Sequence, residues 1–198
     1  MREFGAHGFS GGSLNVIARE AAVAKGSLFQ YFDAKLEMFA YVCEVASERI
    51  RAAMEKRMLA LDLTRPLFPL LAETLLAWVA YFRTHPLERA VTAATNLEMD
   101  DAVREAVRGV ANRHYIEVLR PLLERARDCG QLRPDADLDM LLALLLLVLP
   151  HLALAPFISG LDPVLGLRGR RGRALEASVT RLVAPLEAAF GWPEGVRP

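Results

Sequence analysis

Two cysteines, Cys43 and Cys129, stand far apart in 198 residues, and no CxxC or Cys/His spacing surrounds them. That excludes a disulfide framework and a cysteine zinc site, and it suits buried thiols in a reducing cytoplasm. No metal and no cofactor is expected. Net charge is also lacking: 24 Lys and Arg balance 24 Asp and Glu. No global basicity therefore announces a polyanionic partner. The opening "MREFGAHGFSGG" has no apolar core of signal-peptide length, which makes a cytoplasmic location the expectation. One run, Met140 to Ile158, is apolar over nearly the length of a membrane span. Pro150, His151 and Pro156 interrupt it, and Asp135, Asp137 and Asp139 precede it. It reads as a helix buried in a core or a subunit interface, with no membrane contact.

Strand-like alternation and internal repeats are missing too, while helical periodicity runs throughout. The chain is expected to be all-α. Leu14, Ile17, Ala18 and Ala21 fall at i, i+3, i+4 and i+7, one face of a short helix, with Ser13 as its N-cap. Leu28 and Phe32 restart the period, and Asp33 is placed to cap a helix reaching about Leu61. Further helices are expected near 66–84, 86–97, 100–129, 136–158 and 173–190, with Gly130 as a C-cap. "GLRGRRGR", Gly166 to Arg173, reads as a solvated loop, with contact to a polyanion such as DNA as the alternative.

The stretch "GFSGGS" at Gly8–Ser13 has the G-x-S-x-G spacing of a nucleophilic serine. That chemistry needs a strand, a strained turn and then a helix, and nine residues before Ser10 cannot supply a sheet. A serine hydrolase using Ser10 is the remote alternative; no catalytic residue is expected. Gly8 is instead expected to end a first helix, with Gly11 and Gly12 as a turn before Ser13.

Two short helices joined by a tight turn, from Ser13 to Phe32, form a helix-turn-helix pattern. Residues 8–39, "GFSGGSLNVIAREAAVAKGSLFQYFDAKLEMF", resemble the DNA-binding domain of TetR/AcrR-type transcriptional regulators. The matching elements are Gly8-Phe9, Ser13, Ile17-Ala18, Ala21 and Val23, Lys25-Gly26, Leu28-Phe29, Tyr31-Phe32 and Lys35. The resemblance implies a helix-turn-helix domain over residues 1–45 and a helical effector-binding and dimerisation domain over residues 46–198. It implies a DNA face of Ser13, Leu14, Lys25, Gly26, Ser27, Phe29, Gln30, Tyr31 and Lys35. Gln30 can pair with an adenine edge and Phe29 can meet a thymine methyl; Tyr31 and Lys35 resemble phosphate contacts. Four features depart from the family pattern. The first helix reads as truncated, with only "MREF" before Gly5. Ala22 replaces a turn glycine, Ala24 replaces a capping hydroxyl residue, and residues 1–50 carry five Lys/Arg against six Asp/Glu.

Trp78, Tyr81, Phe82, His85, Asn96, Met99, His114 and Tyr115 are candidate effector contacts, and their aromatic bias suits an apolar or aromatic small molecule. Each also has an ordinary reading as a core aromatic or a satisfied histidine. The leucine-rich segment 138–158 and the helix 173–190 are implied to form a two-fold homodimer interface, which in turn implies a palindromic operator on double-stranded DNA. The function implied is a ligand-responsive repressor. The alternative is a helical homodimer that binds a small molecule or protein with impaired DNA binding.

Overall fold

The structure, a computed structural model, describes residues 1–192. The last six residues of the expected second domain lie outside the described residues. Among those described, nine helices and no strand occur: α1 (Arg2–Gly11), α2 (Leu14–Glu20), α3 (Lys25–Leu28), α4 (Lys35–Leu59), α5 (Leu67–Thr84), α6 (Pro86–Asn96), α7 (Asp101–Asp128), α8 (Leu138–Leu154) and α9 (Gly172–Phe190). The chain is all-α. No described helix is long and apolar enough to cross a membrane.

The helices group into two compact units that interleave along the chain. The first joins Met1–Arg51 to His85–His114, and the second joins Ala52–Thr84 to the chain from Tyr115 onward. Packing thus divides the molecule differently from a single cut near residue 45. The reason is that α4 and α7 are long enough to serve both units, and that α6 returns to pack along α1.

In the first unit, Phe4, Met38, Phe39, Cys43, Ala46, Val91, Val103 and Val107 form the buried core. Phe4 and Phe39 are fully buried, with ring centroids 5.1 Å apart. α1 approaches α6 so closely that a Cβ on Gly5 would stand 2.8 Å from the Ala90 Cβ. Burial pushes the Cys43 thiol up to about 11, against the opposing hydrogen bond with Thr95, so it stays protonated at neutral pH.

α1 continues past the expected stop at Gly8. It kinks there, where φ 66° and ψ −169° form a backbone region open essentially to glycine alone, and resumes to Gly11. Ser10 therefore lies on a kinked helix, not on a strand-to-helix turn. Ser13 does cap α2, its Oγ accepting from the Val16 N–H at 3.4 Å. Asp33 does not act as the cap of α4; its own N–H donates to Glu37 Oε2 at 2.6 Å, which holds the chain at the start of that helix.

In the second unit, α5 packs against α8 and α9. Leu70, Leu75, Val79, Phe82, Leu141, Leu145, Leu152 and Val179 are almost wholly buried. Gly130 ends α7 at φ 66°; its N–H donates to Arg127 O, and the Gln131 N–H donates to Ala126 O at 2.8 Å. That pair of bonds satisfies two terminal carbonyls. The buried Gln131 side chain then accepts from the Leu67 N–H and donates to Leu63 O at 2.7 Å, tying the start of α5 to the end of α7.

The turn between α2 and α3 repeats this closing pattern with the wrong residue type. Ala22 N–H donates to Arg19 O and Val23 N–H to Ala18 O, leaving Ala22 at φ 55°. It is the one non-glycine residue at positive φ among the described residues. A Cβ in this region costs about 1 kcal/mol. Ala22→Gly is therefore expected to stabilise the protein by about that amount, raising Tm by about 2–4 °C in thermal unfolding.

Candidate nucleic-acid interface

α3 is only four residues long and buries none of them. Its N-cap, Ala24, makes no side-chain cap bond. Beyond Leu28 the chain keeps turning through short-range bonds: Phe29 N–H to Gly26 O, Gln30 N–H to Ser27 O and Tyr31 N–H to Leu28 O. Such a segment does not hold itself. It is fastened by Leu28 and Phe32, both packed against the first unit's core. Phe32 also meets Tyr41 with ring centroids 5.5 Å apart.

With those two side chains turned inward, the rest face out. Lys25, Gly26, Phe29, Gln30 and Tyr31 are exposed, Phe29 at 47% and Tyr31 at 78%. Exposed aromatics together with a cation and an amide make a surface that can stack, donate and accept at base edges or phosphates. Ser27 lies half-buried at its edge. A Cβ added to Gly26 would meet nothing within 4 Å, so no packing inside the protein demands glycine there.

Three expected members of the face also make contacts within their own domain. Leu14 packs against the core. Lys35 Nζ donates to the Ser10 carbonyl at 3.1 Å and lies 5.0 Å from the Phe9 ring centroid. It thereby compensates a free carbonyl of the last turn of α1, the end that carries partial negative charge. Ser13 is reached by a residue that periodicity did not mark. Glu3 Oε1 accepts from the Ser13 N–H at 2.8 Å, and its other oxygen lies 3.9 Å from His7 Nε2. A carboxylate thus lies at the N-terminus of α2, beside a residue expected on the DNA face. Ten residues separate the two groups, and nothing in local spacing signals the contact.

The family model described as bacterial regulatory proteins, tetR family, matches residues 1–42. The N-terminal domain belongs to the tetR family. No curated protein matches the chain. The tetR match covers α1, α2, α3 and the first turns of α4, which are the elements that carry the exposed face. The match thus supports a tetR-type DNA-binding domain over residues 1–42.

The candidate effector residues divide between the units. Trp78, Tyr81, Phe82 and Tyr115 belong to the second, where Trp78 meets Phe82 at 4.9 Å and Tyr115 at 5.8 Å between ring centroids. The Trp78 Nε1–H donates to Leu149 O at 2.9 Å. One helical turn away, Leu71, Thr74, Leu119, Leu141 and Leu145 line an apolar cavity of only 10 Å³. That is space for about one water. His85, Asn96, Met99 and His114 belong to the first unit. His85 is exposed at the start of α6, Met99 is 85% exposed, and Asn96 accepts from Arg108. His114 Nδ1 shares a 2.8 Å hydrogen bond with Ser47 Oγ, with Glu48 3.8 Å from Nε2. These four are tied up or solvated, so the aromatic group is the one that the structure brings together.

If Gly26 serves DNA approach and not folding, Gly26→Ala leaves Tm unchanged or slightly raised, because alanine favours a helix by about 0.5–1 kcal/mol. The same change is expected to weaken binding to duplex DNA about tenfold, a loss of about 1.4 kcal/mol, in a fluorescence-anisotropy titration. A parallel loss of Tm would show that the glycine is structural instead.

Proposed function

We propose that this protein is an effector-responsive repressor that binds a palindromic operator as a homodimer. The observation that carries the reading is the exposed set Lys25, Gly26, Phe29, Gln30 and Tyr31, held out by Leu28 and Phe32 within the tetR-family domain. Those side chains have no part in the core, and their types suit groove contact.

Dimerisation is supported by the outward faces of α8 and α9. Met140, Ala143 and Leu147 follow one another along α8 at helical spacing and are exposed, Leu147 at 73%. On α9, Ala177, Ala184 and Ala188 are exposed small residues that allow close helix approach. An apolar stripe of that kind is characteristic of an interface. Two-fold symmetry then places two recognition segments on successive major grooves.

The effector site in this reading is the space among α5, α7 and α8 beside Trp78, Phe82 and Tyr115. Its lining suits an apolar or aromatic molecule, which would enter by displacing leucines or the Trp78 ring. Only a molecule that prefers one of two conformers can shift DNA affinity. Anisotropy titration against the DNA flanking its own gene checks the reading. Salt-sensitive, sequence-selective binding that a small apolar ligand relieves is the expected result, and absence of selective binding sinks it.

A second reading, a helical dimer with impaired DNA binding, is favoured by one observation: the Glu3 carboxylate on the Ser13 N–H. The two readings part on Glu3→Gln. The amide oxygen can still accept from Ser13, while the negative charge beside the phosphates is gone. If DNA binding operates and Glu3 tempers it, affinity rises about threefold, in line with a single surface charge. If neither protein binds DNA, the second reading holds.

A further inference from the structure

The loop between α8 and α9 carries four arginines within six residues, Arg168, Arg170, Arg171 and Arg173, and no acid occurs from Pro163 to Leu175. The sequence reading of a solvated loop leaves open whether these cations are held or free. The structure holds the backbone firmly. Asp162 accepts from the N–H groups of Val164, Leu165 and Leu167 at 3.0, 2.8 and 2.7 Å. Burial opposes its charge, but the three donors together, with His151 nearby, keep its carboxyl below the usual range. Leu167 is 1% exposed and anchors the middle of the loop. The Gly169 N–H donates to Pro156 O, and Arg170 donates to Ser178 Oγ at 3.0 Å. Arg83, in the last turn of α5, donates to the Arg170 carbonyl at 3.1 Å, adding a fifth guanidinium to the cluster.

Arg170 and Arg83 are thus used to build the loop, while Arg168, Arg171 and Arg173 are exposed. Among the described residues none of these three has an acid or hydrogen-bond partner. Arg173 also stands in the first turn of α9, which has no acid and no side-chain cap. A cation there opposes the positive end of the helix and lowers stability unless an anion arrives. Clustered, unpaired guanidinium groups on a held backbone are suited to bind phosphates in an array.

We propose that this arginine loop is a second contact surface for double-stranded DNA, binding its phosphate backbone without reading sequence. The proposal rests on the DNA-binding reading above and goes beyond it. Two observations favour DNA over other polyanions. No apolar side chain lies between Arg168 and Arg173 to anchor in a protein pocket or a bilayer. Residues 1–50, which hold the groove-reading segment, carry five cations against six anions, so the long-range attraction that DNA binding needs comes from elsewhere in the chain.

The test compares the full-length protein with the triple variant Arg168→Ala, Arg171→Ala, Arg173→Ala by anisotropy on a duplex from its own promoter, between low and physiological salt. All three side chains are exposed, and circular dichroism confirms that the variant is folded. The slope of log K against log salt is expected to become shallower by about one unit for each arginine that meets a phosphate. The triple lysine variant is expected to retain most of the slope, since charge alone suffices, whereas a merely structural role for the arginines would lose it in both. Selective binding by the wild type with an unchanged slope in the alanine variant overturns the loop contact and leaves the regulator reading intact. Absence of selective binding by the wild type overturns both. A third arm uses phosphatidylserine vesicles: binding lost in the alanine variant, with an unchanged DNA slope, assigns the surface to lipid instead and overturns the proposal.

Discussion

The packing of Phe4 against Phe39 is the constraint on which the DNA-facing part of the molecule depends. A four-residue helix has too few internal hydrogen bonds to persist alone, so α3 takes its place from what lies beneath it. Phe4 arrives on α1 and Phe39 on α4, and their contact draws together the two helices that flank the helix-turn-helix. Leu28 and Phe32 close on that same core, which turns Phe29, Gln30 and Tyr31 outward. The outward face is thus a consequence of inward packing.

α1 itself is held on two sides. Glycine at position 5 lets it lie against Ala90 of α6, and Lys35 reaches back to the Ser10 carbonyl near its end. α6 belongs to the segment that returns to the first unit after α5, so the small domain is completed by chain well beyond the tetR-family match. This is why burial at Val91, Val103 and Val107 matters to a surface formed some sixty residues or more earlier. The chemistry of that surface is tempered from within as well, since Glu3 brings negative charge to the start of α2.

Much of this architecture was legible from local pattern. Periodicity located the long helices to within a few residues, because each buries a stripe that recurs every three or four positions. The Ser13 cap and the Gly130 terminus were legible for the same reason: both depend on hydrogen bonds spanning a few residues. What escaped was tertiary. Leu14 packs against the core and Lys35 reaches the Ser10 carbonyl, contacts that their spacing does not signal, and Glu3 reaches Ser13 across a helix that the sequence reading ends at Gly8. The candidate effector residues looked like one group along the chain, but His85, Asn96, Met99 and His114 belong to the first unit and the Trp78 cluster to the second. Contacts between distant segments leave no periodic trace.

The central claim is that two copies of the tetR-family domain read one duplex through the face built around α3. Hydroxyl-radical footprinting of the promoter DNA beside the protein's own gene tests it most directly. The account predicts two protected half-sites related by two-fold symmetry, centred about one or a few helical turns apart, and their loss on changing Gln30 and Tyr31 to alanine. Protection that is absent, that follows no symmetry, or that survives those changes would contradict it.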